Sequence, residues 1–223
     1  MDLTEISKVH EREVFMEDFE VVDIEHWKRK QHYLIFRQFQ QPRYDISFEL
    51  DITNFYHRVH EDQLSFTLAM IYAISTCANE IEEFRYRFKD GEVVKYNRLK
   101  LSFAYINKET ELLKVVVVEP KDNIFDFVRY AKEIANNQKE YFTGPMGNDI
   151  YQFSAIPWIS YTHISHTDSG RKDNAVPMFD WGKYYYRNEQ LFLPFSIQAH
   201  HSFVDGIHMG KLAQRLQEYL DNY

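Results

Sequence analysis

The chain has little of the chemistry that builds disulfide networks, membrane spans or nucleic-acid interfaces. It contains one cysteine among 223 residues, which excludes an internal disulfide framework and a zinc site built from several cysteines. No stretch approaches about 18 consecutive apolar residues, so the sequence predicts no transmembrane helix. The formal net charge of -8 argues against general nucleic-acid binding, because neutralising phosphates requires a basic face.

The sequence also lacks the marks of secretion and of several domains. Residues 1–15 are polar and mixed in charge, without the apolar core of a signal peptide. Together with the single cysteine, this predicts a soluble cytoplasmic protein. There is no internal repeat and no low-complexity linker, and only 7 glycines and 6 prolines interrupt the chain. We therefore predict a leader at 1–22 and a single domain at 23–223.

Apolar residues alternate with polar ones in some segments, as in strands, and recur every three or four residues in others, as in helices. Residues 46–52 alternate strictly, which is typical of a half-buried strand, and Asp90–Gly91 signals a hairpin. We predict helices at 24–36, 54–60, 64–81, 122–141 and 207–221, and strands at 46–52, 84–88, 92–96, 101–106, 112–118, 152–163, 176–187 and 190–199. The predicted fold is an α/β two-layer sandwich, in which helices cover a mixed or mostly antiparallel sheet.

The segment with the most chemistry runs from residue 191 to 216, where an apolar strand ends in His200 and His201. Asp205 and a glycine follow, before the last helix. In one interpretation the histidines are ordinary strand-end residues and Asp205 is a helix cap. In a second, both histidines, Asp205 and His208 bind a metal, but adjacent strand residues point to opposite faces, which disfavours a shared ion. In a third, one histidine is a general base on a rigid element. Spacing alone leaves the structural and catalytic interpretations open.

Residues 200–206, HHSFVDG, resemble the HHxxxDG signature of coenzyme-A-dependent acyltransferases. Other segments resemble the chloramphenicol acetyltransferase family in the same order: HWKRKQH at 26–32, FRYRFKDGEVV at 84–94, KETE at 108–111, FSAIPWISY at 153–161 and PMFDWGKYYYRNEQLFLPFSIQAHH at 177–201. The resemblance covers about residues 23–222. It favours this family over peptide-synthetase condensation domains, which are about twice as long, and over lipoamide acyltransferases, which lack the first and last of these segments.

The resemblance implies a reaction and the residues that perform it. Acetyl-CoA would acetylate a hydroxyl of a small molecule, with chloramphenicol as the default acceptor and antibiotic resistance as the result. His201 would remove the acceptor's proton as the base, and Ser154 would stabilise the tetrahedral oxyanion. Asp205 and Arg29 would form a salt bridge that holds the site in shape. No metal takes part in this scheme.

The resemblance also implies how the substrates and subunits are arranged. Trp158 and Tyr184 match aromatic residues of the coenzyme A channel. Phe36, Asp180 and Leu113 fall at acceptor-binding positions, where Asp180 replaces a threonine and Leu113 an aromatic residue. A different hydroxylated acceptor therefore stays open as an alternative, as does a non-catalytic or metal-binding relative. The family is homotrimeric with active sites between subunits, and we expect the same assembly here.

Overall fold

A computed structural model of the protein describes residues 18–107, 109–144, 146–167 and 170–223. Over these residues the strands are β1 (Phe19–Val21), β2 (Arg43–Asp51), β3 (Tyr86–Lys89), β4 (Glu92–Tyr96), β5 (Lys100–Ile106), β6 (Leu113–Val118), β7 (Ile150–Ala155), β8 (Met178–Trp181), β9 (Tyr185–Arg187) and β10 (Gln190–His200). The helices are α1 (Lys30–Phe36), α2 (Thr53–Glu61), α3 (Phe66–Asn79), α4 (Ile124–Asn137) and α5 (Gly206–Asn222), and a 3₁₀ turn covers Glu82–Arg85.

The strands form one large mixed sheet and one small sheet. The large sheet has the order β2-β10-β8-β7-β5-β6, and β9 also pairs with β10. The pairs β5–β7 and β7–β8 are parallel, whereas β10 is antiparallel to each of its partners. Helices α2, α3 and α5 contact this sheet through β10, β7 and β2. The predicted mixed sheet covered by helices is confirmed, and β1, β4 and β3 add a second sheet that the sequence does not predict.

The register of the large sheet separates an apolar face from a polar row. Phe153 of β7 pairs with Phe179 of β8, which pairs with Ile197 of β10, and all three are buried. Side chains alternate between faces along a strand. The neighbouring register positions therefore align four polar residues on the opposite face: Ser154, Asp180, Ser196 and Ser47. We call these four residues the polar row.

Helix α3 is apolar on nearly every side, and it encloses the single cysteine. Cys77 is buried within it, as the sequence predicts. Burial raises the pKa of its thiol to about 12, so the side chain packs as a small hydrophobe rather than reacting as a thiolate. No helix in the described part of the chain combines the length and apolar character needed to span a bilayer.

The N-terminal region departs from the predicted elements. Strand β1 lies inside the segment 1–22 for which the sequence predicts a leader, and it pairs with β4; residues 1–17 lie outside the described part. Helix α1 begins at Lys30 rather than at residue 24. Asp23 accepts a hydrogen bond from the Glu25 backbone at 3.0 Å, so it caps an isolated turn instead of the helix.

Two predicted strands are too long, and the segments beyond their observed ends pack against each other. Strand β7 ends at Ala155 rather than at residue 163, and the predicted strand 176–187 is divided between Trp181 and Tyr185. A Cβ at Gly182 would lie 2.7 Å from the Ile159 carbonyl oxygen. Only glycine therefore fits where these two connections approach each other.

Candidate active site

Strand β10 carries two adjacent histidines to its carboxyl end, and the first of them is fully engaged. The ring of His200 is buried. Its Nε2 lies 3.0 Å from the Lys172 carbonyl oxygen, and its Nδ1 accepts a hydrogen bond from the Ser202 backbone N–H at 3.1 Å. These partners fit a neutral ring with the proton on Nε2. No ring nitrogen of His200 is left for a substrate proton or a metal ion.

The second histidine is clamped by aromatic rings and partly open. The His201 ring stacks on Phe36 with centroids 3.7 Å apart and packs against Tyr44 at 4.6 Å. Its Nδ1 is buried and lies 3.3 Å from Oδ1 of Asp205, but without the alignment of a hydrogen bond, and no other described residue bonds it. Because Nδ1 is buried while 33% of the side chain is exposed, we expect Nε2 to be the nitrogen that faces an acceptor.

The main partner of Asp205 is an arginine at the start of α1, with which it forms an ion pair. Arg29 donates two hydrogen bonds to the two carboxylate oxygens, at 2.6 and 3.0 Å, and its side chain is buried. Burial tends to raise the pKa of Asp205, but the hydrogen bonds and charge of Arg29 outweigh it and lower the pKa below the usual value. Asp205 also caps helix α5. The structure thus joins α1 to α5 beside the histidine.

His208 completes the first turn of α5, a role that the sequence does not indicate. Its Nδ1 accepts a hydrogen bond from the Asp205 backbone N–H at 2.9 Å, and its Nε2 lies 3.3 Å from Oε1 of Glu83. Burial lowers the pKa of His208 and keeps the ring neutral. Both His208 and His200 are therefore committed to protein partners. Within the described residues, no three His, Cys, Asp or Glu side chains are placed to hold a metal ion.

Ser154 lies in the polar row, beside a second pair of His and Asp side chains. It is opposite Asp180, whose side chain is 1% exposed and lies 2.7 Å from Nε2 of His166. Burial raises the pKa of Asp180, and the hydrogen bond that His166 donates to Asp180 raises the pKa of His166. Their hydrogen bond therefore favours a protonated His166 beside an ionised Asp180. The next pair in the row is Ser196 and Ser47, whose hydroxyls are 2.7 Å apart.

Ser154 and His201 do not meet within one chain. Ser154 and Asp180 are level with Ser196, and His201 follows Ser196 by five residues. Five residues of strand span about 16 Å, and two strand spacings of about 4.8 Å separate Ser154 from β10. The two Cα atoms are therefore roughly 19 Å apart by this strand geometry, too far for both side chains to contact the same carbonyl group.

The three residues expected to bind the acceptor lie in three different places. Phe36 contacts the His201 ring, and Asp180 is buried in the middle of the sheet. Leu113 begins β6 at the edge of the sheet, four strands from β10, and is 46% exposed. Within one chain, these three side chains therefore do not lie close to one another.

The two residues expected to bind coenzyme A lie on connections that touch each other. The Lys183 backbone N–H donates to the Ile159 carbonyl at 2.8 Å, which joins the turn after β7 to the segment before β9. The Tyr184 hydroxyl is 3.0 Å from that of Tyr56. Trp158 is 64% exposed and borders a cavity of about 260 Å³, whose other lining residues include Ser65, Thr67, Leu68, Tyr105, Lys132 and Pro157.

Comparison with known proteins identifies the family. The model of the family described as chloramphenicol acetyltransferase matches residues 17–217. The chain belongs to the chloramphenicol acetyltransferase family. It is 30% identical to a chloramphenicol acetyltransferase of Klebsiella sp, over 92% of this chain and 95% of the relative. It is 31% identical to one of Proteus mirabilis, over 90% and 94%.

The solved structures agree with this membership. A chloramphenicol acetyltransferase superposes with a TM-score of 0.84 at 28% identity, covering 91% of this chain and 99% of the other. A probable dihydrolipoamide acetyltransferase from Listeria monocytogenes has a TM-score of 0.63 at 13% identity, covering 86% and 89%, and shares the fold alone. The resemblance predicted from the sequence segments is confirmed, and the protein is an acyltransferase enzyme.

Proposed function

We propose that the protein transfers the acetyl group of acetyl-CoA to a hydroxyl of a small molecule, with chloramphenicol as the default acceptor. One observation carries this proposal: the ring of His201, at the end of β10, is held between Phe36 and Tyr44 while 33% of its side chain stays exposed. A rigid ring with one accessible nitrogen suits a general base. In the cytoplasm, acetylation of the antibiotic would confer resistance.

The proposed reaction is a direct transfer without an acyl-enzyme. Nε2 of His201 takes the hydroxyl proton as the acceptor oxygen attacks the thioester carbonyl. The carbonyl oxygen gains negative charge, and the Ser154 hydroxyl donates a hydrogen bond to it. When the carbon–sulfur bond breaks, the proton held by His201 passes to the coenzyme A sulfur. The products are the acetyl ester and free coenzyme A, and no step uses a metal.

The separation of the two catalytic side chains supports a site made by two chains. Ser154 and His201 of one chain are roughly 19 Å apart by strand geometry, whereas the reaction requires both at one thioester. If a second copy of the chain places its own Ser154 beside this His201, both side chains can reach the same thioester. Three such interfaces form the closed homotrimer that we propose for this protein.

Trp158 and Tyr184 are the residues that we propose for binding the coenzyme. An exposed indole beside a largely apolar cavity is suited to bind a flat, partly apolar group. We expect Trp158→Ala to raise the KM for acetyl-CoA several-fold and to change kcat little, because this contact is the same in the ground state and the transition state.

A thiol-release assay with acetyl-CoA tests the activity. Chloramphenicol and a panel of other hydroxylated molecules serve as acceptors, and His201→Ala serves as the matched control. We expect free thiol to appear with the wild-type protein and with at least one acceptor. Thiol release that is equal in the two proteins, or absent with every acceptor, would contradict the proposal.

Mixing two inactive variants tests the site between chains. His201→Ala and Ser154→Ala are each expected to lose at least ~10²-fold in rate. In a trimer assembled at random from both variants, about one interface in four joins an intact His201 to an intact Ser154. Co-expression should therefore restore up to about a quarter of the wild-type rate. No restoration in mixed trimers would show that each chain works alone.

A further inference from the structure

The polar row places a buried carboxylate directly beside the serine that we propose for the oxyanion. Ser154 and Asp180 are register partners on the parallel strands β7 and β8. Their Cα atoms are therefore about 5 Å apart, and their side chains leave the same face of the sheet. Asp180 is 1% exposed, so water screens its charge poorly.

A bare carboxylate at this position would oppose the reaction. The carbonyl oxygen becomes negatively charged in the transition state, beside the Ser154 hydroxyl. Two negative charges a few ångströms apart in a buried site repel strongly. A neutral side chain at this position would raise no such conflict. This chain must therefore compensate the charge of Asp180.

His166 is the group that can do so. Its Nε2 lies 2.7 Å from Oδ1 of Asp180. Two other charged side chains act on Asp180, and both come from β2: Arg43 favours its ionised form, whereas Asp45 opposes it. These two charges oppose each other. Among the described residues, His166 thus decides whether the cluster of these four side chains is neutral or carries one negative charge.

We propose that His166 is a charge-compensating residue for acetyl transfer, whose imidazolium neutralises Asp180 so that an oxyanion can form beside Ser154. This inference rests on the proposed function, and it adds to that function a residue that acts on the reaction through Asp180. His166 does not remove the acceptor's proton, because its Nε2 is already bonded to the carboxylate.

The test uses the variant His166→Gln, which keeps an N–H donor for Asp180 but removes the charge. We expect kcat to fall on the order of 10-fold, less than the ~10²–10³-fold cost of deleting an oxyanion donor. The KM for acetyl-CoA should not change. His163→Gln is the matched control, since His163 belongs to the same segment but reaches the row only at 3.5 Å from Ser47, and it should retain the wild-type kcat.

The second variant adds Asp180→Asn to His166→Gln, which removes both charges and keeps an amide–amide contact. We expect this double variant to recover most of the lost kcat, whereas a residue that only supports the fold would give no such recovery. Thermal unfolding of each variant checks that the chain is folded. A double variant as slow as His166→Gln, or a His166→Gln with the wild-type kcat, overturns the inference while the wild-type activity stands. A wild type without thiol release refutes the proposed function itself, and the inference falls with it.

Discussion

A histidine lies close to an aspartate just after the end of β10, and another lies close to an aspartate on the neighbouring strand β8, but the two pairs are built differently. At β8, His166 and Asp180 are 2.7 Å apart, and Asp180 is buried whereas His166 is partly exposed. At the end, His201 and Asp205 approach only to 3.3 Å, without hydrogen-bond alignment. Nε2 of His166 is hydrogen-bonded to a carboxylate, whereas Asp205 approaches His201 at Nδ1 and leaves Nε2 of that ring without a carboxylate partner. His201 is therefore the histidine that we propose as the base.

The two aspartates differ in what holds them. Asp205 receives two hydrogen bonds from Arg29, so its charge is balanced before the histidine is considered. Asp180 faces a histidine instead, and its balance depends on the protonation of that ring. This difference teaches that a short His–Asp distance does not by itself identify a catalytic base. The open nitrogen and the other partners of the carboxylate decide the role.

We expect the largest loss of kcat when the proposed base is removed. Without that loss, the contrast drawn between the two His–Asp pairs would be wrong. His201→Ala should lower kcat by at least ~10²-fold and destabilise the fold less than His200→Ala does, because 33% of the His201 side chain is exposed whereas His200 is buried. His200→Ala is the contrasting variant. It leaves a backbone N–H and a carbonyl without their buried partner, at about 1–3 kcal/mol for each unsatisfied group, but it keeps the base.

Steady-state kinetics and thermal unfolding of both variants provide the measurement. A large kcat loss should appear only in His201→Ala, and a large stability loss only in His200→Ala. Equal and modest losses of activity in the two variants would mean that neither histidine has the role assigned here.

Removing the Arg29 side chain tests whether that arginine balances the charge of Asp205. Arg29→Ala should lower the free energy of unfolding by about 3 kcal/mol, the lower end of the range for breaking a buried ion pair, because the Asp205 side chain keeps 22% exposure. Chemical denaturation measures this loss. Adding Asp205→Asn should cost less than the sum of the two single changes, since both remove the same interaction. Additive losses would mean that the pair contributes no coupling.

The lowered pKa of Asp205 predicts the acid behaviour of the same pair. A carboxyl group whose pKa is lower in the folded state stabilises the fold above its unfolded pKa, about 3.9. Its contribution should disappear as the pH falls from there through the folded pKa. The stability difference between wild type and Arg29→Ala should therefore be full at pH 6 and shrink below about pH 4.

The smallest expected effect concerns the histidine that caps α5. The pKa of His208 is lower in the folded protein. Its contribution to stability should therefore be complete above its unfolded pKa of about 6.5, and should be lost as the pH falls from there through the folded pKa. His208→Gln keeps a side-chain acceptor for the Asp205 N–H but does not titrate. We expect it to change stability at pH 8 by about 1 kcal/mol or less, and to flatten the pH dependence between about pH 7 and 5. An unchanged pH slope would assign that dependence to other groups.

Local sequence was enough to predict the end of β10. HHSFVDG places a strand end, a helix cap and the first helical turn within a few residues, so the geometry of one helix start brings Asp205 near His201. The ordered segments that resemble chloramphenicol acetyltransferases were likewise sufficient for the family and the mixed sheet, both of which are confirmed. The roles of His201, Ser154, Trp158 and Tyr184 stay predictions that the experiments above address.

Other parts of the site depend on contacts between residues far apart in the chain. Phe36 and Tyr44 close on His201 from segments more than 150 residues away, and no local pattern marks either as its neighbour. Ser154, Asp180 and Ser196 come together only because β7, β8 and β10 pair in one particular register. Shifting one strand by a single residue would turn its polar side chain to the apolar face. The spacing of residues within each strand is readable from the sequence, but the register between strands is set by the packing of the whole sheet, and so the pair of His166 and Asp180 became visible only in the tertiary structure.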